Sequence, residues 1–117
     1  SNEFLDTPWP KVVRVRERFT HLLSATDGRA ALVEQCLALL ADRDTEPPEN
    51  LPASGLSPEW ARKLSAPFVL DPEYGTRCST VLTLDDEALT LVERRFDADG
   101  REVGESEHVV AANLNNG

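Results

Sequence analysis

Residues 76–100 read TRCSTVLTLDDEALTLVERRFDADG, and this stretch decides the fold class. Its first nine residues are rich in Thr, Val and Leu, which predicts a strand over 76–84. Asp85-Asp86-Glu87 turns the chain, and 88–96 predicts the next strand. Asp97-Ala98-Asp99-Gly100 is a second strong turn, because Asp side chains accept from nearby backbone amides and Gly tolerates positive φ. A last strand is expected over 105–110, followed by a frayed tail over 111–117. Turns this short join antiparallel neighbours.

Upstream the apolar period changes from two to about 3.6. Val12, Val15, Phe19, Leu22 and Leu23 share one face of a helix expected over 11–24. Thr26-Asp27-Gly28 breaks the pattern, with Asp27 a good N-cap for the helix expected over 29–41. Leu32, Cys36, Leu39 and Leu40 form the stripe of this second helix, widened by Val33 and Leu37. The two read as an antiparallel helical hairpin. Residues 42–57, with Pro47, Pro48, Pro52 and Gly55 among acidic residues, read as a solvated linker. Ser57-Pro58-Glu59 opens a short helix over 58–64, with Ser57 as cap, Pro58 in the first position and Glu59 at the positive end. Trp60 and Leu64 are its expected buried contacts, and Phe68-Val69-Leu70 is a short strand candidate.

Helices followed by an antiparallel meander give the α+β class. A three-stranded meander leaves its edges exposed. Further strands are therefore expected from elsewhere, either a missing half or a partner.

The chain has 117 residues, 40% of them hydrophobic, enough for one domain or part of one. Its formal net charge of -9 argues against nucleic acid and anionic membrane surfaces as partners, since both are bound through clustered Lys and Arg. No apolar run approaches the roughly 20 residues of a membrane span. The start, Ser1-Asn2-Glu3-Phe4, has neither the basic nor the apolar region of a signal peptide. A cytoplasmic protein is expected. Because the first residue is Ser, the chain is expected to be cut from something longer.

No Gly-rich phosphate loop and no metal-ligand spacing is present, so neither a cofactor nor a metal is expected. His21 and His108 read as ordinary surface or half-buried histidines, and Cys36, on an apolar stripe, as a packed thiol. Cys78 follows Arg77, whose charge lowers a thiol pKa where the side chains meet. Strand neighbours point to opposite faces, however, so a small residue at a strand start is the plainer reading. Two segments are unusual for loops. Asp6-Thr7-Pro8-Trp9-Pro10-Lys11 over-determines its backbone, which a tight helix entry also explains. Tyr74-Gly75-Thr76-Arg77-Cys78-Ser79-Thr80 gathers a glycine, an arginine and short polar groups at a strand mouth. Such a group either binds a carboxylate or phosphate through the Arg fork or caps the strand.

These two segments, with Ser1-Asn2 before them and Glu93-Arg94-Arg95-Phe96 after, resemble the C-terminal half of the NRDE family. Its eukaryotic members are the transport and Golgi organisation 2 proteins. The resemblance runs from Ser1 to about Val110, so residues 1–117 read as the C-terminal part of a single domain. It implies an N-terminal-nucleophile-hydrolase-like fold, a four-layer αββα sandwich to which this chain gives helices and part of a sheet. The family's candidate nucleophile is a cysteine at the extreme N-terminus. That cysteine and the Asn-Arg-Asp-Glu run are both missing from this sequence, which makes the missing N-terminal half the expected partner. The implied activity of the full form is cysteine-dependent amide hydrolysis. The alternative is a non-enzymatic role in haem or lipid handling or in secretory-pathway organisation. Similarity to the bile-salt hydrolase and penicillin V acylase group implies Asn2 as oxyanion donor and Arg77 as the cation supporting the cysteine. Trp9, Tyr74, Thr76 and Ser79 would line the site for a small-molecule ligand.

Overall fold

The structure, a computed structural model, describes residues 9–51, 53 and 55–111. Helix α1 (Pro10–Ala25) starts as a proline in the first turn dictates. Trp9 is extended at φ −61° and ψ 142°, and its carbonyl accepts from Val13 N at 3.0 Å. Helix α2 (Arg29–Leu40) follows after three residues. Its N-cap is Gly28 at φ 91°, not Asp27, and no side chain caps it. The left-handed backbone here selects glycine over a capping carboxylate. Helix α3 (Pro58–Lys63) has the expected cap, with Trp60 N donating to Ser57 Oγ at 3.3 Å.

The sheet holds β1 (Cys78–Leu84), β2 (Ala88–Phe96) and β3 (Glu102–Ala111), in the order β1-β2-β3 and antiparallel throughout. Both turns are built by an aspartate. Asp85 Oδ1 accepts from Glu87 N and Ala88 N at 2.8 and 2.9 Å. Asp97 Oδ1 accepts from Asp99 N and Arg101 N, both at 2.9 Å. Strand β3 begins three residues earlier than its apolar pattern shows. A register shift at Arg95/Phe96 and ion pairs from Arg94 to Glu102 and Glu105 hold its polar start in the sheet.

Helix α2 covers the β1–β2 part of one sheet face. Val33 and Leu37, one turn apart, pack on Val92, with the register partner Val81 beside them. Arg94 reaches from the same face to Glu34 of α2 at 3.3 Å. Of the expected stripe of α2, Cys36 and Leu39 are buried together with the widening residues Val33 and Leu37, which meet the sheet, while Leu32 and Leu40 stay half-buried. Helix α1 has no fully buried residue, and Phe19 and Leu23 of its apolar face are 41% and 55% exposed.

A second packed centre forms around Phe68, which is 1% exposed. Its ring meets Phe96 edge-on at 4.8 Å, and Arg43 lies 4.7 Å over it. The expected strand at Phe68-Val69-Leu70 is absent. Phe68 N donates to Asp42 O at 2.8 Å, and Val69 bonds only across its own loop to Thr76, so no ladder forms. The start of the 42–57 linker is pinned rather than free. Asp42 accepts from Arg18 at 2.7 Å, Glu46 pairs with Arg14 at 3.0 Å, and Glu46 N donates to Ser65 Oγ at 2.8 Å. Trp60, an expected buried contact, is 38% exposed.

The opposite sheet face has no cover among the described residues. Side chains alternate along a strand, so the faces follow from Val81 and Val92 facing α2. Leu82, Leu84, Leu89, Leu91 and Val110 share the other side, in register rows Leu84–Leu89–Val110 and Leu82–Leu91–His108. Leu82, Leu84 and Val110 are 59%, 71% and 62% exposed. The polar end of this face carries Cys78, Thr80, Glu93, Arg95 and Ser106. Arg95 Nη1 donates to Ser106 Oγ at 2.7 Å, and its guanidinium lies across Gly104, where a Cβ would come within 2.6 Å of Nη2.

Candidate functional site

The segment between α3 and β1 folds into a closed loop on its own hydrogen bonds. Thr76 N donates to Val69 O at 2.8 Å, and Val69 N donates to Thr76 Oγ1 at 3.0 Å, so two bonds clasp its ends. Inside, Asp71 is 7% exposed. Its Oδ2 accepts from Tyr74 N at 2.8 Å and Glu73 N at 3.0 Å, and Oδ1 accepts from Lys63 Nζ at 3.1 Å. These donors hold the Asp71 carboxyl below the usual carboxylate range, the Tyr74 amide contributing most. The hydrogen bond to Asp71 in turn raises Lys63 above the ordinary lysine value.

The sign of the pH dependence follows. A lowered carboxyl pKa gives stability that is complete above the unfolded value and lost as pH falls through the lower folded value. Asp71→Asn is therefore expected to flatten the acid side of the stability profile, below about pH 4. Urea midpoints at pH 3 and pH 6 check this, and an unchanged difference between them contradicts it.

Arg77 closes the loop from the strand side. Its Nη2 donates to Pro72 O at 3.0 Å and Nη1 to Thr76 O at 3.4 Å. Gly75 is required by this approach, since a Cβ there would lie 2.5 Å from Asp71 O and 2.7 Å from Arg77 Nη1. Tyr74 is 62% exposed and stands edge-on to Trp60 at 6.2 Å and 81°. Lys63 Nζ lies 5.0 Å over the Trp60 ring.

The structure thus gathers Tyr74, Thr76 and Arg77 in one loop. The Thr76 hydroxyl is engaged in the clasp. Ser79 is buried, and by strand alternation it sits on the α2 face, away from exposed Cys78. Trp9 is half-buried just before α1, and its Nε1 has no partner among the described residues. Lys11 Nζ, two residues on, donates to Leu64 O at 2.8 Å and ties the start of α1 to the end of α3. Burial lowers the Lys11 pKa. Asn2 lies outside the described residues. Cys36 is buried on α2, and desolvation raises its thiol pKa. No group of three or more His, Cys, Asp or Glu that could hold a metal occurs among the described residues. Asp71 is the residue that sequence reasoning missed. Its signal was Asp71-Pro72, a pair that initiates turns.

The arrangement offers an exposed guanidinium bonded to two loop carbonyls at a strand mouth, beside an exposed aromatic pair. No helix of the described residues is long and apolar enough to cross a membrane. No solved structure matches the chain. Among curated proteins, the chain is similar to the Transport and Golgi organization protein 2 homolog of Bos taurus, 36% identical over 102 residues. The match covers 80% of this chain and 36% of the relative, so the chain spans about a third of that protein's length. A family model described as Transport and Golgi organisation 2 matches residues 1–98, and the chain belongs to that family.

Proposed function

We propose that this chain is the C-terminal portion of a family protein that folds as an αββα sandwich and hydrolyses an amide through a cysteine outside this sequence. The observation that carries the reading is the second face of the sheet. Leu82, Leu84 and Val110 stand largely exposed there, in rows with Leu89 and Leu91, while α2 covers the β1–β2 part of the first face and leaves Val109 of β3 exposed. Burying a Leu or Val side chain stabilises by about 1.5–3 kcal/mol. A bare apolar sheet face is the surface on which a second sheet packs, about 10 Å away. The chain would contribute one sheet, its helical layer, and Arg77 at the end of the sheet where β1 begins.

In this reading Asn2 donates its side-chain N–H to the developing oxyanion, and the Arg77 guanidinium favours the thiolate form of the nucleophile. Trp9, Tyr74 and Thr76 would shape the surroundings of the substrate, with Ser79, buried on the α2 face, behind them. Amide turnover by the complete protein, compared with its Asn2→Ala and Arg77→Ala variants, tests the assignment. Carriage of an apolar ligand such as haem or lipid draws on the same bare face. A complete protein that retains such a ligand without turnover decides for carriage.

A further inference from the structure

A groove of about 410 Å³ runs along β1, lined by Phe19 and Leu23 of α1, Leu32, Cys36 and Leu40 of α2, and residues 80–84. The apolar face of α1 overhangs this unfilled space. The direction of the β1 backbone follows from its two ends. Phe96 N donates to Arg77 O at 2.8 Å, and Asp85 N donates to Ala88 O at 3.1 Å. Hydrogen-bonded pairs recur every second residue of an antiparallel ladder. With Cys78 opposite Arg95 and Leu84 opposite Leu89, residues 79, 81 and 83 turn their amides toward β2. Cys78, Thr80, Leu82 and Leu84 turn theirs outward. Strand β1 ends the sheet order, and among the described residues no loop or helix backbone bonds to these four.

The two sheet edges differ in charge. Strand β3 carries Glu102, Glu105 and Glu107, and charges of this kind discourage edge pairing. Strand β1, CSTVLTL, has no charged residue and no proline. An uncharged edge beneath an apolar roof is suited to strand addition, in which main-chain bonds give affinity and pockets take alternate side chains.

We propose that the β1 edge receives an additional strand from the remainder of the same family protein. That strand pairs with Thr80, Leu82 and Leu84 and places apolar side chains beneath Phe19 and Leu23. The proposal rests on reading the chain as one portion of a larger sandwich. Length argues for this occupant, since the match covers only 36% of the bovine relative.

Residue-resolved amide hydrogen exchange of the complete protein tests it. The amides of Thr80, Leu82 and Leu84 are expected to exchange at least about 100-fold slower than in an unstructured peptide, as those of Val81 and Thr83 do, at every protein concentration. Slow exchange at Val81 and Thr83 with fast exchange at the three outward amides overturns the proposal. Protection that disappears on dilution, with a matching change in molecular mass, also overturns it and assigns the edge to a second copy. The outcome is separable from the amidase reading. Fast outward exchange in a protein whose turnover needs Asn2 and Arg77 removes the strand alone, and slow exchange in an inert protein supports the strand alone.

Discussion

Phe68→Ala is expected to lower the stability of the protein by about 3–5 kcal/mol, the usual cost of emptying a buried aromatic site. Phe68 is 1% exposed and sits where three separate segments meet. Its amide bonds Asp42 O at the end of α2, its ring packs edge-on against Phe96 of β2, and Arg43 covers the ring. The same Arg43 donates to Gly100 O at 2.6 Å, reaching the β2–β3 turn. Deleting the ring removes the common contact of the linker, the α3 end and the hairpin, leaving little for collapse to fill. Against a typical total of about 5–15 kcal/mol, this is a large fraction. The urea midpoint measures it, and a loss below about 1 kcal/mol contradicts the placement of Phe68.

The second large effect is expected under the proposed amide hydrolysis by the complete protein. Removing one oxyanion donor costs about 10²–10³ in kcat, so Asn2→Ala is expected to lose activity on that scale. In the same proposal Arg77→Ala acts differently, through the ionisation of the nucleophile. Taking away a nearby cation raises a thiol pKa, so less thiolate is present at a given pH. The acid limb of the rate profile is then expected to move to higher pH, with activity partly recovered in alkaline buffer. Arg77 is suited to such a role because its bonds to Pro72 O and Thr76 O keep its guanidinium at the mouth of β1. Full rates in both variants, at all pH values, would remove both residues from the chemistry.

Much of this fold could be read directly from local pattern. Strand β2 runs over 88–96 as its pattern predicts, and the Asp97–Gly100 turn sits where the Asp and Gly place it. Both long helices end within one residue of their expected bounds, and Ser57 caps α3. What escaped depends on distant partners. The run at Phe68-Val69-Leu70 has strand composition, but composition does not reveal whether a ladder partner lies alongside. Arg14, Arg18 and Asp42 look like ordinary surface charges in sequence, yet they anchor the linker to α1. Which apolar positions of α2 meet the sheet was hidden because nearly every position of that helix is apolar. At the candidate site, Tyr74, Gly75 and Arg77 stood out by residue type. The Asp71–Lys63 pair that organises their loop did not, since its two members sit on different elements.

A sandwich requires the bare sheet face to be covered in the complete protein. Leu91, on the central strand between Leu82 and His108, is the place to measure this. Thiol labelling of Leu91→Cys in the native complete protein, with the modified site located by mass spectrometry, reads the cover directly. Labelling at least about 100-fold slower than in the urea-unfolded protein is the expected result, because a packed face must open before reagent reaches it. Labelling at the rate of a freely exposed thiol would contradict the sandwich, and the site assembled around it.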